Sequence, residues 1–191
     1  MIRRQKNGFS LIELIVVVTI IALISAIVLV NYRGGQERFA LQRSTHILAQ
    51  DMRHAQELAM RAENFHGTVS RGGFGVHLVS NTSSYILFAD CDGDRVFDVT
   101  TDFTTECANS GRTGFGVRSE ELEIRQLERG VIITSISPAS PSTIVFIPPD
   151  PAILINNGVV TSTTITLGIM IDGVNVTSSV IVNNAGLIAI E

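Results

Sequence analysis

The residues best equipped for chemistry lie in one short stretch, Asp90-Cys91-Asp92-Gly93-Asp94-Arg95-Val96-Phe97-Asp98. Carboxylates fall at its first, third, fifth and ninth positions, and the backbone carbonyl of Val96 is available at the seventh. Hard oxygen ligands alternating along a curled loop can all turn inward, which is how a calcium loop begins. Asp90, Asp92, Asp94, Val96 and Asp98 are therefore candidate ligands for a structural Ca2+ that would stiffen the loop, not catalyse. The match is incomplete. Arg95 stands where the sharp turn wants glycine, Gly93 comes two residues early, and Thr101 replaces the bidentate glutamate, leaving Asp102 or Glu106 to complete the shell. An acidic turn-forming loop, with Asp and Gly present for backbone reasons, is the other reading.

A second chemical group is Glu13, the single charge in an apolar run from Phe9 to Val30. The run is 22 residues long, and a helix of that length at ~1.5 Å per residue crosses a hydrocarbon core of ~30 Å. A carboxylate there costs at least a few kcal/mol, so it calls for a function or a partner; a terminal amine would serve. Arg3, Arg4 and Lys6 precede the run and hold the N-terminus in the cytoplasm, with Asn31 onward outside. A secretory signal would place its small residue after a shorter apolar region. Here Gly8 comes before the run, so cleavage at Gly8 would leave the membrane helix on the mature chain.

Gly8-Phe9-Ser10-Leu11-Ile12-Glu13-Leu14 followed by an unbroken apolar helix resembles the signal of type IV pilins and type II secretion pseudopilins. The resemblance implies that a prepilin peptidase cuts after Gly8 and methylates Phe9 as the new N-terminus. It also implies that Glu13 pairs with the terminal amine of a neighbouring pilin or pseudopilin subunit. In a low-dielectric bundle such a pair favours one axial register over others. An ordinary signal-anchor helix with a chance glutamate is the bland alternative.

Composition narrows the function further. The formal charge is −4, and removing the three positive charges of Arg3, Arg4 and Lys6 leaves −7. Phosphate binding needs clustered Lys and Arg, and no basic residue follows Arg129, so nucleic acid is not an expected partner. Lys6 is the only lysine, which excludes P-loop and Schiff-base chemistry from the processed chain. His46, His54, His66 and His77 show no metal-ligand spacing, and the serines lack a nucleophile motif. The chain is not expected to be an enzyme. Cys91 and Cys107 are the only cysteines and both fall outside the cytoplasm, where disulfides persist. Their bond would add ~3 kcal/mol on the chain-entropy model; two unpaired buried thiols are the alternative.

The elements that must position these groups follow a simple order. Beyond the membrane, Leu48, Met52, Ala55, Ala59 and Ala62 recur at helical spacing, opposite Arg43, Gln50, Arg53, Gln56 and Glu57. One helix from residue 9 to about 64 should therefore end near Asn64 or Gly67, with a weak point at Gly34-Gly35, since glycine costs ~1 kcal/mol in a helix. From Thr68 the period changes to β. Strands are expected at Phe74–Val79, Tyr85–Ala89, Leu122–Leu127, Val131–Ile136, Thr143–Ile147, Thr163–Ile171, Val180–Val182 and Leu187–Ile190, punctuated by turns such as Asp172-Gly173.

The expected fold is α+β and pilin-like, a long N-terminal helix with a C-terminal antiparallel β-sheet head. Its divisions are a leader at 1–8, an assembly helix at 9–30, a continuation at 31–66 and a head at 67–191. Ala55 to Asn64, Phe88-Ala89-Asp90, Phe146-Ile147-Pro148-Pro149-Asp150-Pro151 and the run Ser179 to Ile188 resemble the H-type minor pseudopilins and their pilus counterparts. That resemblance implies a minor subunit of a type II secretion pseudopilus or a type IV pilus, with prepilin peptidase, other pilin or pseudopilin subunits and an inner-membrane assembly platform as partners. It would be a single-pass protein of the cytoplasmic membrane that passes into an extracytoplasmic filament. A major type IV pilin, or a membrane-tethered binding module, are the alternatives.

Overall fold

The computed structural model describes residues 10–65, 68–70, 72–91, 93–97, 120–148 and 152–191, with backbone only at 28–34, 68 and 69. The first element, α1, is a 50-residue helix, Leu11–Met60. It runs through Gly34-Gly35 without a break, so the expected weak point is helical here. The apolar stripe behaves as its spacing predicts: Leu48, Met52, Ala55 and Ala59 are buried, joined by Leu41 and Ala49. Arg43, Gln50, Arg53 and Glu57 face outward, and Gln56 is half-buried.

The helix stops short of the expected 64–67. Ala62 adopts φ 46, its N–H donates to the Ala59 carbonyl at 3.0 Å, and the Glu63 N–H reaches back to the Leu58 carbonyl at 3.1 Å. That is a Schellman end with alanine in the left-handed position where glycine is usual. Ala62 extends the stripe by spacing alone; in the fold it lies beyond the last turn and is exposed.

Among the described residues, eleven strands follow. They are β1 Asn64–Phe65, β2 Thr68–Val69, β3 Gly73–Leu78, β4 Ser84–Asp90, β5 Glu121–Gln126, β6 Ile132–Ser137, β7 Ser142–Ile147, β8 Ala152–Ile155, β9 Ser162–Ile171, β10 Val174–Asn183 and β11 Ile188–Ile190. Two sheets carry the head, in the orders β5-β4-β3-β7-β8 and β11-β10-β9-β6, while β1 and β2 form a separate ribbon. Among the described residues every pairing is antiparallel, as the regular turn punctuation predicts. The β9–β10 hairpin is the longest, registered from Ile171↔Val174 to Ser162↔Asn183. Its turn is Asp172-Gly173 with φ 49 and 81, the two positive values that a type I′ turn requires.

The helix touches β3 and β7 of one sheet and β9, β10 and β11 of the other. One core results. Leu48 and Met52 of α1 meet Val76, Ile144 and Phe146 from the first sheet and Ile165, Leu167 and Val180 from the second. Fully burying each such side chain stabilises by ~1.5–3 kcal/mol, so the hydrophobic term for the head is anchored on the helix.

A polar tie crosses the same contact. Asp51 of α1 is buried, and the Tyr85 hydroxyl of β4 donates to its Oδ2 at 2.6 Å. Arg125 of β5 brings Nε to 3.2 Å from that oxygen and an outer nitrogen to 3.0 Å from Glu123. The Nε contact is a charge contact and not an aligned hydrogen bond. Burial, the Asp51 hydrogen bond and the Asp51 charge, in that order, push the Tyr85 hydroxyl above its ordinary value near 10. A group whose folded pKa is raised contributes stability below its unfolded pKa and loses it as pH climbs past that value. The melting temperature should therefore begin to fall above pH ~10. Tyr85→Phe should flatten that alkaline limb in melting curves recorded against pH; an unchanged slope would contradict the assignment.

Candidate functional site: the anchor helix and the acidic loop

Glu13 sits in the first turn of α1, three residues after Ser10 at the N-cap. The spacing is that of a capping box, yet the Ser10 side chain makes no cap hydrogen bond. Glu13 is exposed and, among the described residues, has no ion-pair partner. Around it the helix surface is apolar on all sides: Leu11 is 76% exposed, and Leu14, Val18, Ile21 and Ile24 are exposed as well. A helix that is apolar all round needs a protein or lipid environment. Thr19, one of the polar interruptions, donates its hydroxyl to the Ile15 carbonyl at 2.8 Å and so satisfies itself within the helix.

Among the described residues, no helix is long and apolar enough to cross a membrane. The described side chains of the apolar stretch stop at Ile27. In the sequence the stretch continues through Val28, Leu29 and Val30, and the α1 backbone is continuous across them. Gly8 and Phe9 lie outside the described residues.

The acidic loop leaves β4 at Asp90, which is fully buried. Its Oδ1 accepts the Gly93 N–H at 2.8 Å and its Oδ2 accepts the Arg95 N–H at 2.9 Å. Asp94 accepts the Val96 N–H at 2.8 Å. These carboxylates organise the loop backbone, as aspartates in turns do. Gly93 and Arg95 take φ 86 and 69, so the glycine that comes early in the calcium pattern is the one the turn uses. Among the described residues, no three His, Cys, Asp or Glu side chains gather as a metal group; Asp92 and Asp98 lie outside the described residues. Downstream, Phe97 folds over the outer face of the first sheet, its ring centroid 5.4 Å from Phe88 and 5.1 Å from His77, against Val145. The described part of the loop, 93–97, is a strap that ends against that sheet.

Among the described residues no cysteine is free. Cys91 follows the buried Asp90, and its N–H donates to Glu120 Oε1 at 3.0 Å, so it sits where the strap leaves the sheet. Cys107 lies outside the described residues. Of the histidines, His46 and His54 are exposed on α1 and His77 contacts Thr143 Oγ1 through Nδ1 at 3.0 Å; His66 lies outside the described residues. Sequence reasoning missed the Asp51–Tyr85 tie. Its only signal is an aspartate beside the apolar stripe, at a position that a charged outer face would also explain.

Fold and site together define a class: a β-rich antiparallel head carried on a helix whose first half is apolar on every side. Residues 3–29 match the family model for the prokaryotic N-terminal methylation motif, so the chain carries a type IV pilin-like prepilin signal. No curated protein and no solved structure matches the chain. The motif points to a pilin or pseudopilin type of subunit, processed by prepilin peptidase and assembled with other such subunits.

Proposed function

We propose that the chain is a minor subunit, of the H-type pseudopilin kind, of a type II secretion pseudopilus or a type IV pilus. The observation that supports this most is the methylation motif at 3–29 on a helix that runs unbroken from its apolar start into the core of the head. In this reading the peptidase removes residues 1–8 and methylates Phe9. The subunit waits as a single-pass protein of the cytoplasmic membrane, with the head outside. The inner-membrane assembly platform then moves it into the filament, where Glu13 meets the terminal amine of a neighbour and sets the register. In the head, a Cys91–Cys107 disulfide and the Asp90 hydrogen bonds hold the strap in place, leaving the outer surface to recognise neighbouring subunits.

Subunit counting tests the minor assignment. Quantitative mass spectrometry of purified filaments should find this chain far below the most abundant methylated subunit. Equal or greater abundance would make it a major pilin. Absence from filaments in cells that make them would favour a tethered module.

A further inference from the structure

Where α1 enters the head, Gln36, Glu37 and Ala40 form one wall of a groove of about 680 Å3, within the ~300–1,000 Å3 of small-molecule sites. The opposite wall comes from β6, β9 and β10. Gly168 forms its floor, where a Cβ would press on Thr134 and Asn175. Ile132 and Met170, 40% and 63% exposed, flank the opening.

One side is closed by the turn from Glu128 to Val131, whose N–H donates to the Glu128 carbonyl at 2.9 Å. Gly130 takes φ 87 there, a value that favours glycine in the second central position of a type II turn. The turn is tied to the helix twice: the Glu128 N–H donates to Ser44 Oγ at 3.1 Å, and the Glu128 carboxylate pairs with Arg43 at 3.1 Å. These ties hold Arg129 at the rim. Glu128 is thus neutralised, and the groove keeps two charges with no ion-pair partner among the described residues, the Arg129 guanidinium and the Glu37 carboxylate.

Height along the helix selects the ligand. Gln36 lies six residues beyond Val30, where the apolar run ends, or ~9 Å at 1.5 Å per residue. The headgroup layer on each side of the hydrocarbon is ~5–8 Å thick, and a ~20° helix tilt lowers Gln36 by less than ~1 Å, so the groove begins at the outer edge of that layer. One cation and one carboxylate, with the Gln36 and Asn175 amides lining the same groove and apolar residues at the mouth, complement a phosphodiester joined to an ammonium. We propose that this groove seats the headgroup of a zwitterionic, ethanolamine-type phospholipid, its phosphate on Arg129 and its ammonium on Glu37. The inference rests on the anchored-helix reading, and it would hold the head in one orientation on the membrane before assembly.

Native mass spectrometry of the full chain, extracted in detergent containing equal phosphatidylethanolamine and phosphatidylglycerol, tests it. The expected result is one retained phosphatidylethanolamine per chain, in preference to phosphatidylglycerol. Arg129→Gln should weaken retention of both lipids by about tenfold, the loss of one charge-assisted contact. Glu37→Gln should abolish only the preference between them. Three results would overturn the proposal: no retained lipid, equal retention of both lipids by the unaltered chain, or displacement by inorganic phosphate, which would mark a free-phosphate site. Carbonate extraction of membranes tests the anchor separately. A chain that is anchored without a retained lipid removes the groove proposal alone, and a chain that is released removes the anchor.

Discussion

Glu13→Ala is expected to leave the chain inserted in the membrane and cut after Gly8, yet to keep it out of filaments. Insertion is driven by the apolar surface from Leu11 onward, and removing a carboxylate from that surface makes it more apolar. Assembly is different. In a helix bundle the neighbour's terminal ammonium would lose its counter-charge, and breaking one side of a buried pair costs ~3–5 kcal/mol, at least two orders of magnitude in an equilibrium. A capping role predicts much less, ~0.5–2 kcal/mol for a helix N-terminus, and the absence of a Ser10 cap hydrogen bond speaks for the larger effect. Immunoblots of sheared filaments against membranes measure the partition. Normal incorporation of the variant would remove the register role.

The second large effect belongs to the head. Gly73 opens β3 with φ 99, and a Cβ built there falls on the Phe146 carbonyl oxygen of β7, a backbone atom that cannot swing aside. Phe74 pairs with Phe146 in the next register position, so relief would require the central strands of the first sheet to part. Gly73→Ala combines a left-handed backbone cost with overpacking, each worth ~1–3 kcal/mol. Their sum is a large share of a domain's whole stability of ~5–15 kcal/mol. Denaturant unfolding of the purified chain should show a midpoint well below that of the unaltered protein. A shift within the error of the measurement would mean that β3 and β7 are not packed as described.

Much of this architecture is legible in the sequence, for a physical reason. The spacing of Leu48, Met52, Ala55 and Ala59 survives because one helix face meets both sheets. The strands over Phe74, Tyr85, Thr143 and Thr163 survive because β-branched and aromatic residues such as Val76, Tyr85, Ile144, Phe146 and Ile165 alternate into the core. Asp172-Gly173 survives because few residues tolerate two positive φ values. What was missed is set by context. The first half of β10, Val174 to Ser179, is rich in Asn, Thr and Ser and reads as loop; continuous pairing with β9 makes it strand. The four residues of β8 are too short an apolar run to tell strand from loop, and β7 supplies the ladder. The helix end depended on Ala62 accepting a conformation that its side chain disfavours.

The candidate site divides in the same way. The prepilin-type signal spanning Gly8, Phe9 and Glu13 is legible because such a signal is linear sequence, and the match at 3–29 reports the signal; the roles of the three residues within it belong to the proposal. The role of Asp90 was only half legible: its position announced a ligand for something, and the fold shows its carboxylate gathering the N–H groups of Gly93 and Arg95. The Asp51–Tyr85 tie was invisible, because residues 34 positions apart are joined only once the sheet closes on the helix.

The central claim is that the N-terminus is a substrate for processing into a filament subunit. Intact-mass analysis of the membrane-extracted chain, expressed with and without a prepilin peptidase, tests it most directly. The account predicts loss of residues 1–8 and one added methyl group on Phe9, only when the peptidase is present. An intact, unmethylated N-terminus in cells with an active peptidase would contradict it and leave α1 as a plain membrane anchor.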